Sequence, residues 1–267
     1  MDKENYFAAD GTHDVERERL TIFENAYDPD TIRQLKALGV AEGWKCLEVG
    51  AGGGSIARWL AETVGPAGKV VATDMNVRFL RGLSLPQLEV REHNVLTDAL
   101  EKDSFDLVHA RTVLMHLPDP AKALRVMTDA VRPGGWLFIE DADQSSALTC
   151  NLTDPSLDAW VALGRRFHMA WKTQGTMDPY FGRNEKKLVQ ELGFLEVDGC
   201  GRVQTFQGGD PLARIFQIIF QYVKEAGLSQ GFFTKEEYDT FQRQFRDPSI
   251  TWIDQIVYGA WGRKPWS

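Results

Sequence analysis

The run LEVGAGGGSIARWL, residues 47–60, decides the fold of this 267-residue chain. It starts in a short apolar strand over 45–49, continues through the glycine loop 50–54, and passes into a helix over 56–64. Because glycine has no Cβ and tolerates unusual dihedral angles, this loop lets a ligand approach the backbone closely. The run therefore predicts a ligand site where the strand turns into the helix.

The residues of the loop separate two classes of ligand. A dinucleotide-binding loop reads G-x-G-x-x-G, but here Gly54 comes one position early and Ser55 stands where the third glycine should be. The strand also delivers the carboxylate of Glu48 just before the loop, which would repel a pyrophosphate and attract a cation. S-adenosylmethionine (SAM) carries an ammonium and a sulfonium group. The sequence therefore favours SAM over NAD or FAD.

Further strands alternate with helices beyond this run. Apolar segments predict strands at 69–73, 88–92, 105–110 and 136–140, and a helix at 118–131 that ends at Pro133-Gly134-Gly135. Strands separated by helices imply right-handed crossovers and parallel pairing. We therefore predict an α/β fold: a doubly wound, mostly parallel, Rossmann-like sheet with helices on both faces and a helical cap.

Polar side chains follow the predicted strands on the side where ligands bind, outside the carboxyl ends. Asp74 ends the second strand and is suited to accept both hydroxyls of a ribose. Met75 is placed to lie against an adenine face, and Asn94 offers an amide to an adenine edge. Arg111 and Asp141 follow the fourth and fifth strands. These residues are expected around one crevice.

The segments outside the repeating core predict the cap. An amphipathic helix over 13–26 is followed by a break at Asp28-Pro29-Asp30 and a second helix over 30–38, closed by Gly39. Later elements are expected as helices at 157–172, 185–192, 211–226 and 235–245, a strand at 195–200, and a final strand region at 250–261. We expect one domain over 1–267, divided into a SAM-binding core at 31–141 and cap and acceptor-site insertions at 1–30, 142–184 and 207–247.

Four of these runs together resemble a known family. LEVGAGGGSIARWL, VVATDMN (70–76), FDLVHARTVLMHLPDP (105–120) and VRPGGWLFIED (131–141) are similar to the class I SAM-dependent methyltransferases. Within that class, the resemblance is to the UbiE-like and secondary-metabolite small-molecule methyltransferases. The terminal VYGAWGRKP (257–265) resembles the last strand of that group. The resemblance implies SAM as cofactor and a small-molecule acceptor.

The resemblance also implies roles for individual residues. In this group the acid and glycines of the first run hold the methionine part of SAM, and the acid after the second strand holds the ribose. Asn94 stands where the group usually has an aspartate at the adenine amino group, and the backbone after the fourth strand faces the SAM amino group. The expected cofactor-binding residues are Glu48, Gly50, Ala51, Gly52, Asp74, Met75, Asn94, Val95, Ala110 and Arg111.

Candidate catalytic residues follow the fourth and fifth strands. His116 is either a proton acceptor near the transferred methyl group or a residue that braces its turn. Asp141 and Asp143 either line the acceptor site or cap the next segment of the chain. His168 is expected in the core or cap. Arg183 is expected in a structural ion pair rather than on an anionic acceptor group.

The expected reaction is direct displacement at the SAM methyl by an O, N or C atom of the acceptor, with no metal. Secondary metabolism would suit such an enzyme. Three alternatives stay open: a SAM-binding cyclase or decarboxylase on the same fold, an NAD-dependent oxidoreductase, and a non-enzymatic partner protein. The glycine loop and Glu48 oppose the oxidoreductase, and the intact loop with Asp74 opposes the partner protein.

The overall composition of the chain limits the classes of partner that it is expected to bind. The net charge of −8 and the pI of about 5.2 disfavour nucleic acid. No apolar run is long enough for a membrane span, and the polar N-terminus does not resemble a signal peptide. The three cysteines are far apart and suggest neither a disulfide framework nor a zinc site. A cytoplasmic location is expected. The oligomeric state stays open, a homodimer included.

Overall fold

The computed structural model describes residues 13–149, 156–175 and 177–266. Parts of the expected cap segments 1–30 and 142–184 therefore lie outside the described residues, as does Cys150. None of the helices in the described ranges combines the length and the apolar composition needed to cross a membrane.

The core of the fold is a seven-stranded sheet in the order β3-β2-β1-β4-β5-β10-β7. Its strands are β1 (Lys45–Val49), β2 (Lys69–Asp74), β3 (Leu88–Glu92), β4 (Phe105–Arg111), β5 (Val131–Asp143), β7 (Leu195–Arg202) and β10 (Ile256–Arg263). The first five strands in this order are parallel, whereas β10 runs antiparallel to both of its neighbours. The predicted doubly wound, mostly parallel sheet is confirmed.

Helices cover both faces of this sheet. The described helices are α1 (His13–Ala37), α2 (Ser55–Val64), α3 (Pro120–Ala130), α4 (Ser156–Gln174), α5 (Glu185–Glu191), α6 (Pro211–Tyr222), α7 (Lys224–Ser229) and α8 (Lys235–Gln244). Side chains of a strand alternate between the two faces. Cys46 and Phe138 accordingly pack with α2 on one face, whereas Leu47 and Ile139 pack with α3 on the other.

A third apolar cluster forms what we call the cap. It contains α4, α6, α7, α8 and a small antiparallel sheet of β6 (Leu148–Thr149), β9 (Thr251–Ile253) and β8 (Thr205–Gln207). Its centre is aromatic: Phe167 packs against Phe220, Phe233 and Phe241 at ring-centre distances of 4.3–5.5 Å. Tyr27 of α1 belongs to the same cluster, so the N-terminal helix is joined to the cap by apolar packing.

The expected break at Asp28-Pro29-Asp30 is wrong, because α1 is one continuous helix with Pro29 inside it. Proline removes one helical hydrogen bond and crowds the preceding turn. Tyr27, Thr31 and Leu35, spaced one turn apart, are nevertheless buried, while Pro29 is exposed. Packing of the buried face therefore keeps the helix continuous through the proline.

Three other boundaries differ from the sequence-based ones. The helix expected at 211–226 is divided at Val223 into α6 and α7. The final strand region contributes β9 to the small sheet and β10 to the large one, with Asp254-Gln255 between them. The glycines after α3 belong to β5, whose pairing with β4 is irregular between Phe105 and Leu107. Strands as short as β6 and β8 carry too few residues to show a period.

Candidate cofactor and acceptor site

A cavity of about 380 Å³ lies between the sheet, α1 and the cap. Its floor is the glycine loop and the carboxyl ends of β1 and β2, and its far wall is the aromatic interior of the cap. One half is therefore lined by backbone and acidic groups, and the other half by aromatic rings. The two halves are continuous.

The glycine loop contains backbone conformations that are strained for residues other than glycine. Gly50 and Gly52 have φ of 70° and 57°, in the left-handed region. A Cβ on Gly50 would also lie 2.4 Å from Cγ2 of Val113. The amide of Ala51 donates to the carbonyl of Thr73 over 2.9 Å, which fastens the loop to β2. The loop therefore presents backbone to the cavity at close range.

Asp74 is fixed at the end of β2 by two backbone amides. Its carboxylate accepts from Gly52 N over 2.9 Å and from Asn76 N over 2.8 Å. Burial raises the pKa of Asp74, and these amides oppose the rise because they stabilise the charged form. Asp74 thus lines the cavity in a fixed orientation beside the loop.

Glu48 is part of a buried group of three titratable side chains. Its Oε2 lies 2.6 Å from Nδ1 of His109, and Nε2 of the same ring lies 3.1 Å from Oε2 of Glu140. Burial opposes a charge on His109, but the two flanking carboxylates outweigh it and raise the pKa of His109 to about 9. His109 is therefore an imidazolium at neutral pH and fixes the Glu48 carboxylate through this hydrogen bond.

Helix α1 brings a further carboxylate over the loop. A Cβ on Gly53 would lie 2.2 Å from Oε1 of Glu24, so Glu24 occupies the space that a larger residue at this position would need. Burial and the charge of Asp28 raise the pKa of Glu24, and the amide of Ser55 opposes the rise. Glu24 lines the same cavity as Glu48.

The structure places most of the expected cofactor residues on the cavity wall. Those that line it are Glu48, Gly50, Ala51, Gly52, Asp74, Met75, Val95 and Arg111. Asn94 is not brought there, because its Oδ1 accepts from the amide of Leu96 in a local turn. Ala110 is buried within the sheet and does not line the cavity either.

His93 lines the cavity immediately before Asn94 in the chain. It is buried, and among the described residues neither of its ring nitrogens has a hydrogen-bond partner. His93, His109 and Glu24 were not identified from the sequence. Each stands in an apolar strand or an amphipathic helix, or beside one, where nothing in the local pattern distinguishes a site residue.

The cap half of the cavity is mostly apolar. Its walls include Phe23, Trp171, Ile215, Phe216, Ile219, Phe220, Phe241, Phe245 and Trp252. The polar side chains on this side include His116, His168, Gln144, Tyr180 and Gln255. Burial lowers the pKa of His168 to about 4, so its ring is neutral at physiological pH. The hydroxyl of Tyr180 lies 3.4 Å from Nδ1 of this ring.

Asp141, the second expected catalytic residue, does not reach the cavity. It is fully buried and faces Glu185 of α5, and its Oδ1 accepts from the amide of Met115. Burial raises the pKa of Asp141 to about 7, although the amide of Met115 and the Glu185 side chain oppose the rise. Burial and the neighbouring Asp141 raise the pKa of Glu185 well above its ordinary value. Asp141 thus supports the turn that carries His116. Arg183 pairs with Asp143, as expected.

These groups fit a cationic ligand with an apolar body. Carboxylates from β1, β2 and α1 surround a loop whose side-chain-free backbone admits close contact. A sheet of this order, with acids in place of a phosphate-binding turn at its first loop, defines the class of SAM-dependent methyltransferases. The chain belongs to the family described as the methyltransferase domain, whose model matches residues 12–198.

Named relatives agree with this family, and a solved structure shares its fold. The methyltransferase str2 of Strobilurus tenacellus is 38% identical over 135 residues, which cover 50% of this chain and 48% of that protein. The match thus spans about half of that relative. The demethylmenaquinone methyltransferase of Staphylococcus aureus is 28% identical over 66% of this chain and 77% of its own. A solved Bacillus halodurans protein shares the fold, with a TM-score of 0.56 and 20% identity over 87% of this chain and 98% of its own.

Proposed function

We propose that this chain transfers the methyl group of SAM to an O, N or C atom of a small apolar molecule that carries a ring. The observation that carries this proposal is the continuity of the cavity: the acidic half at the glycine loop opens directly into a chamber walled by aromatic rings. Aromatic walls favour ring-bearing ligands through burial and through stacked or edge-to-face contact. A relative named for demethylmenaquinone is compatible with this class of acceptor.

The acidic half is the proposed cofactor site. Glu48 would face the ammonium group of SAM, and Asp74 would face its ribose. His93 and Val95, rather than Asn94, would contact the adenine. When bound, SAM supplies an electrophilic methyl group on a sulfonium.

The contribution of this chain to the reaction is alignment and exclusion of water. Holding two reactants in the productive geometry can lower a barrier by roughly 7–11 kcal/mol. The apolar cap excludes water around a reaction in which positive charge disappears. We propose that α1 and the cap together form the roof of the acceptor site, and that the whole chain acts as one domain.

Two histidines in the acceptor half have different proposed tasks. His116 follows β4 and would accept a proton from a hydroxyl acceptor. His168 would stay neutral and orient the acceptor through a hydrogen bond, because its pKa of about 4 makes it a weak base at neutral pH. A carbon or amine acceptor would use the positioning but need no base.

The test is a comparison of acceptors with purified protein and SAM labelled in the methyl group. Uncharged phenols and quinols should be labelled, whereas small charged amines and nucleic acids should not. The net charge of −8 supports the exclusion of nucleic acid. Labelling of amines such as glycine, with none of the ring compounds, would contradict the proposed acceptor class.

A further inference from the structure

A chain of polar contacts runs from the surface side of α1 to the carboxylate that faces the proposed cofactor site. Its members come from the helix and from three strands of the sheet: Asp28 and Thr31 from α1, Arg111 and His109 from β4, Glu140 from β5 and Glu48 from β1. Every member except Asp28 is buried.

The outer links fix α1 to the sheet. Arg111 donates to Oδ1 of Asp28 over 2.7 Å and to the hydroxyl of Thr31 over 2.9 Å. Thr31 in turn donates to Oε2 of Glu140 over 2.8 Å. The single hydroxyl of Thr31 therefore accepts from Arg111 and donates to Glu140. It is the central link between the helix and the sheet.

The inner links reach the cavity. Oε2 of Glu140 also contacts Nε2 of His109, whose Nδ1 binds Glu48. Burial alone would raise the pKa of Glu140, but His109, Arg111 and Thr31 hold it below its ordinary value. Thr31, Glu140 and His109 do not line the cavity, whereas Glu48 and Arg111 do.

The charged members of this chain of contacts alternate in sign. Acidic and basic groups follow one another from Asp28 to Glu48, with one more acidic group than basic, and the series ends with Glu48 at the cavity. A buried charge is costly unless it is paired and hydrogen-bonded. A cation at Glu48 would complete the pairing from the cavity side, and loss of any inner link would leave charges unmatched.

We infer that this chain of polar contacts couples the binding of SAM to the packing of α1 on the sheet. Thr31 and His109 act as positioning residues that orient Glu48. The inference rests on SAM binding but not on the proposed acceptor, since no acceptor enters its test. Failure of the acceptor assignment would leave it standing.

Thr31→Val tests the coupling, because valine keeps the shape of threonine and removes the hydroxyl. Calorimetry with SAM should show affinity reduced on the order of tenfold, as expected when buried hydrogen bonds to charged groups are lost. Thr31→Ser should restore most of the affinity. Thr128→Val is the matched control, because its buried hydroxyl on α3 has no hydrogen-bond partner among the described residues. This control should bind SAM like the wild type.

Two further measurements separate coupling from general destabilisation. In a Glu48→Gln background, Thr31→Val should lower the SAM affinity by less than about a further twofold, because the effects of substitutions at coupled residues are not additive. Hydrogen exchange of α1 amides near Thr31 should slow on addition of SAM in the wild type and much less in Thr31→Val. If Thr31→Val does not fold, Asp28→Asn, which alters the outer end of the chain of contacts, should give the same pattern in weaker form.

The inference is overturned if Thr31→Val binds SAM with wild-type affinity while its melting temperature falls. It is equally overturned if the full loss of affinity persists in the Glu48→Gln background. Protection of α1 by SAM that is the same in the wild type and in Thr31→Val would also contradict it.

Discussion

Gly53 lies directly beneath Glu24: a Cβ at Gly53 would come 2.2 Å from Oε1 of the glutamate. The atom that would have to move is the end of a flexible side chain, and the backbone of Gly53 does not have positive φ. Gly53→Ala should therefore displace Glu24 at little cost to the fold, within about 1 kcal/mol of the free energy of unfolding. If Glu24 faces the cofactor, SAM affinity measured by calorimetry should fall severalfold.

The comparison variant for this prediction is Gly50→Ala. Here φ is 70° and Val113 blocks the Cβ, so the loop itself must distort. This variant should lose both stability, by roughly 1–2 kcal/mol or more, and SAM binding. Equal loss of stability in the two variants would show that the Glu24 side chain cannot move aside as described.

The pair Asp141 and Glu185 predicts a pH-dependent stability. The pKa of Asp141 rises from its ordinary 3.8 to about 7, and that of Glu185 is raised as well. A carboxyl with a higher pKa in the folded state stabilises the fold below its unfolded pKa, and this contribution is lost as pH rises through the folded value. The contribution of this pair to the free energy of unfolding should therefore decline between pH 4 and pH 8, by on the order of 2–4 kcal/mol.

Glu185→Gln should flatten this decline, because an amide can donate to Asp141 without titrating. Denaturant unfolding at a series of pH values checks it. The control is Glu191→Gln, an exposed acid on the same helix. A Glu185→Gln variant that keeps the wild-type dependence of stability on pH would refute the raised pKa values of this buried pair.

Neighbouring residues of α6 separate the acceptor wall from the core of the cap. Ile219 lines the cavity, whereas Ile218 is fully buried and does not line it. Ile219→Ala should raise the acceptor KM severalfold and leave the SAM KM within about twofold. Ile218→Ala should instead cost about 2–5 kcal/mol of stability with little change in either KM. If the two variants behave alike, α6 does not form the acceptor wall.

The two histidines of the acceptor half are distinguished by their pH profiles. His116→Gln should lower kcat by about 10²–10⁴-fold for a hydroxyl acceptor and change the pH dependence of kcat. His168→Gln should raise the acceptor KM without changing the pH dependence of kcat near neutral pH, because the pKa of His168 is about 4. A His116→Gln enzyme that keeps the wild-type rate and profile would leave alignment as the main catalytic device.

The sequence was sufficient for the part of the fold that local pattern determines. The glycine loop, the bounds of β1 and β3, and Asp74 at the end of β2 follow from apolar runs and turn residues. Pro29 was expected to break the helix, as proline usually does, but the tertiary packing of Tyr27 keeps the helix continuous. Contacts between residues far apart in the chain cannot be recognised from the local sequence pattern.

In the site, too, local pattern identified some residues, whereas others depend on long-range contacts. Glu48 and Asp74 were identified because strand ends of a parallel sheet meet at one edge. Asn94 was expected at the cavity on the same basis, but it is used in its own turn. The partner of Glu48 is His109, 61 residues away along the chain and on a neighbouring strand. Only the assembled sheet brings those two residues together.

The most direct test of the cofactor site is calorimetric titration of SAM into the wild type, Glu48→Gln, Asp74→Asn and a remote control, Asp239→Asn on α8. The wild type and control should bind SAM with micromolar affinity and show no binding of NADH. Glu48→Gln and Asp74→Asn should each lose about 1–3 kcal/mol of binding free energy, as for buried hydrogen bonds to a charged group. Unchanged SAM affinity in both folded variants would contradict the site.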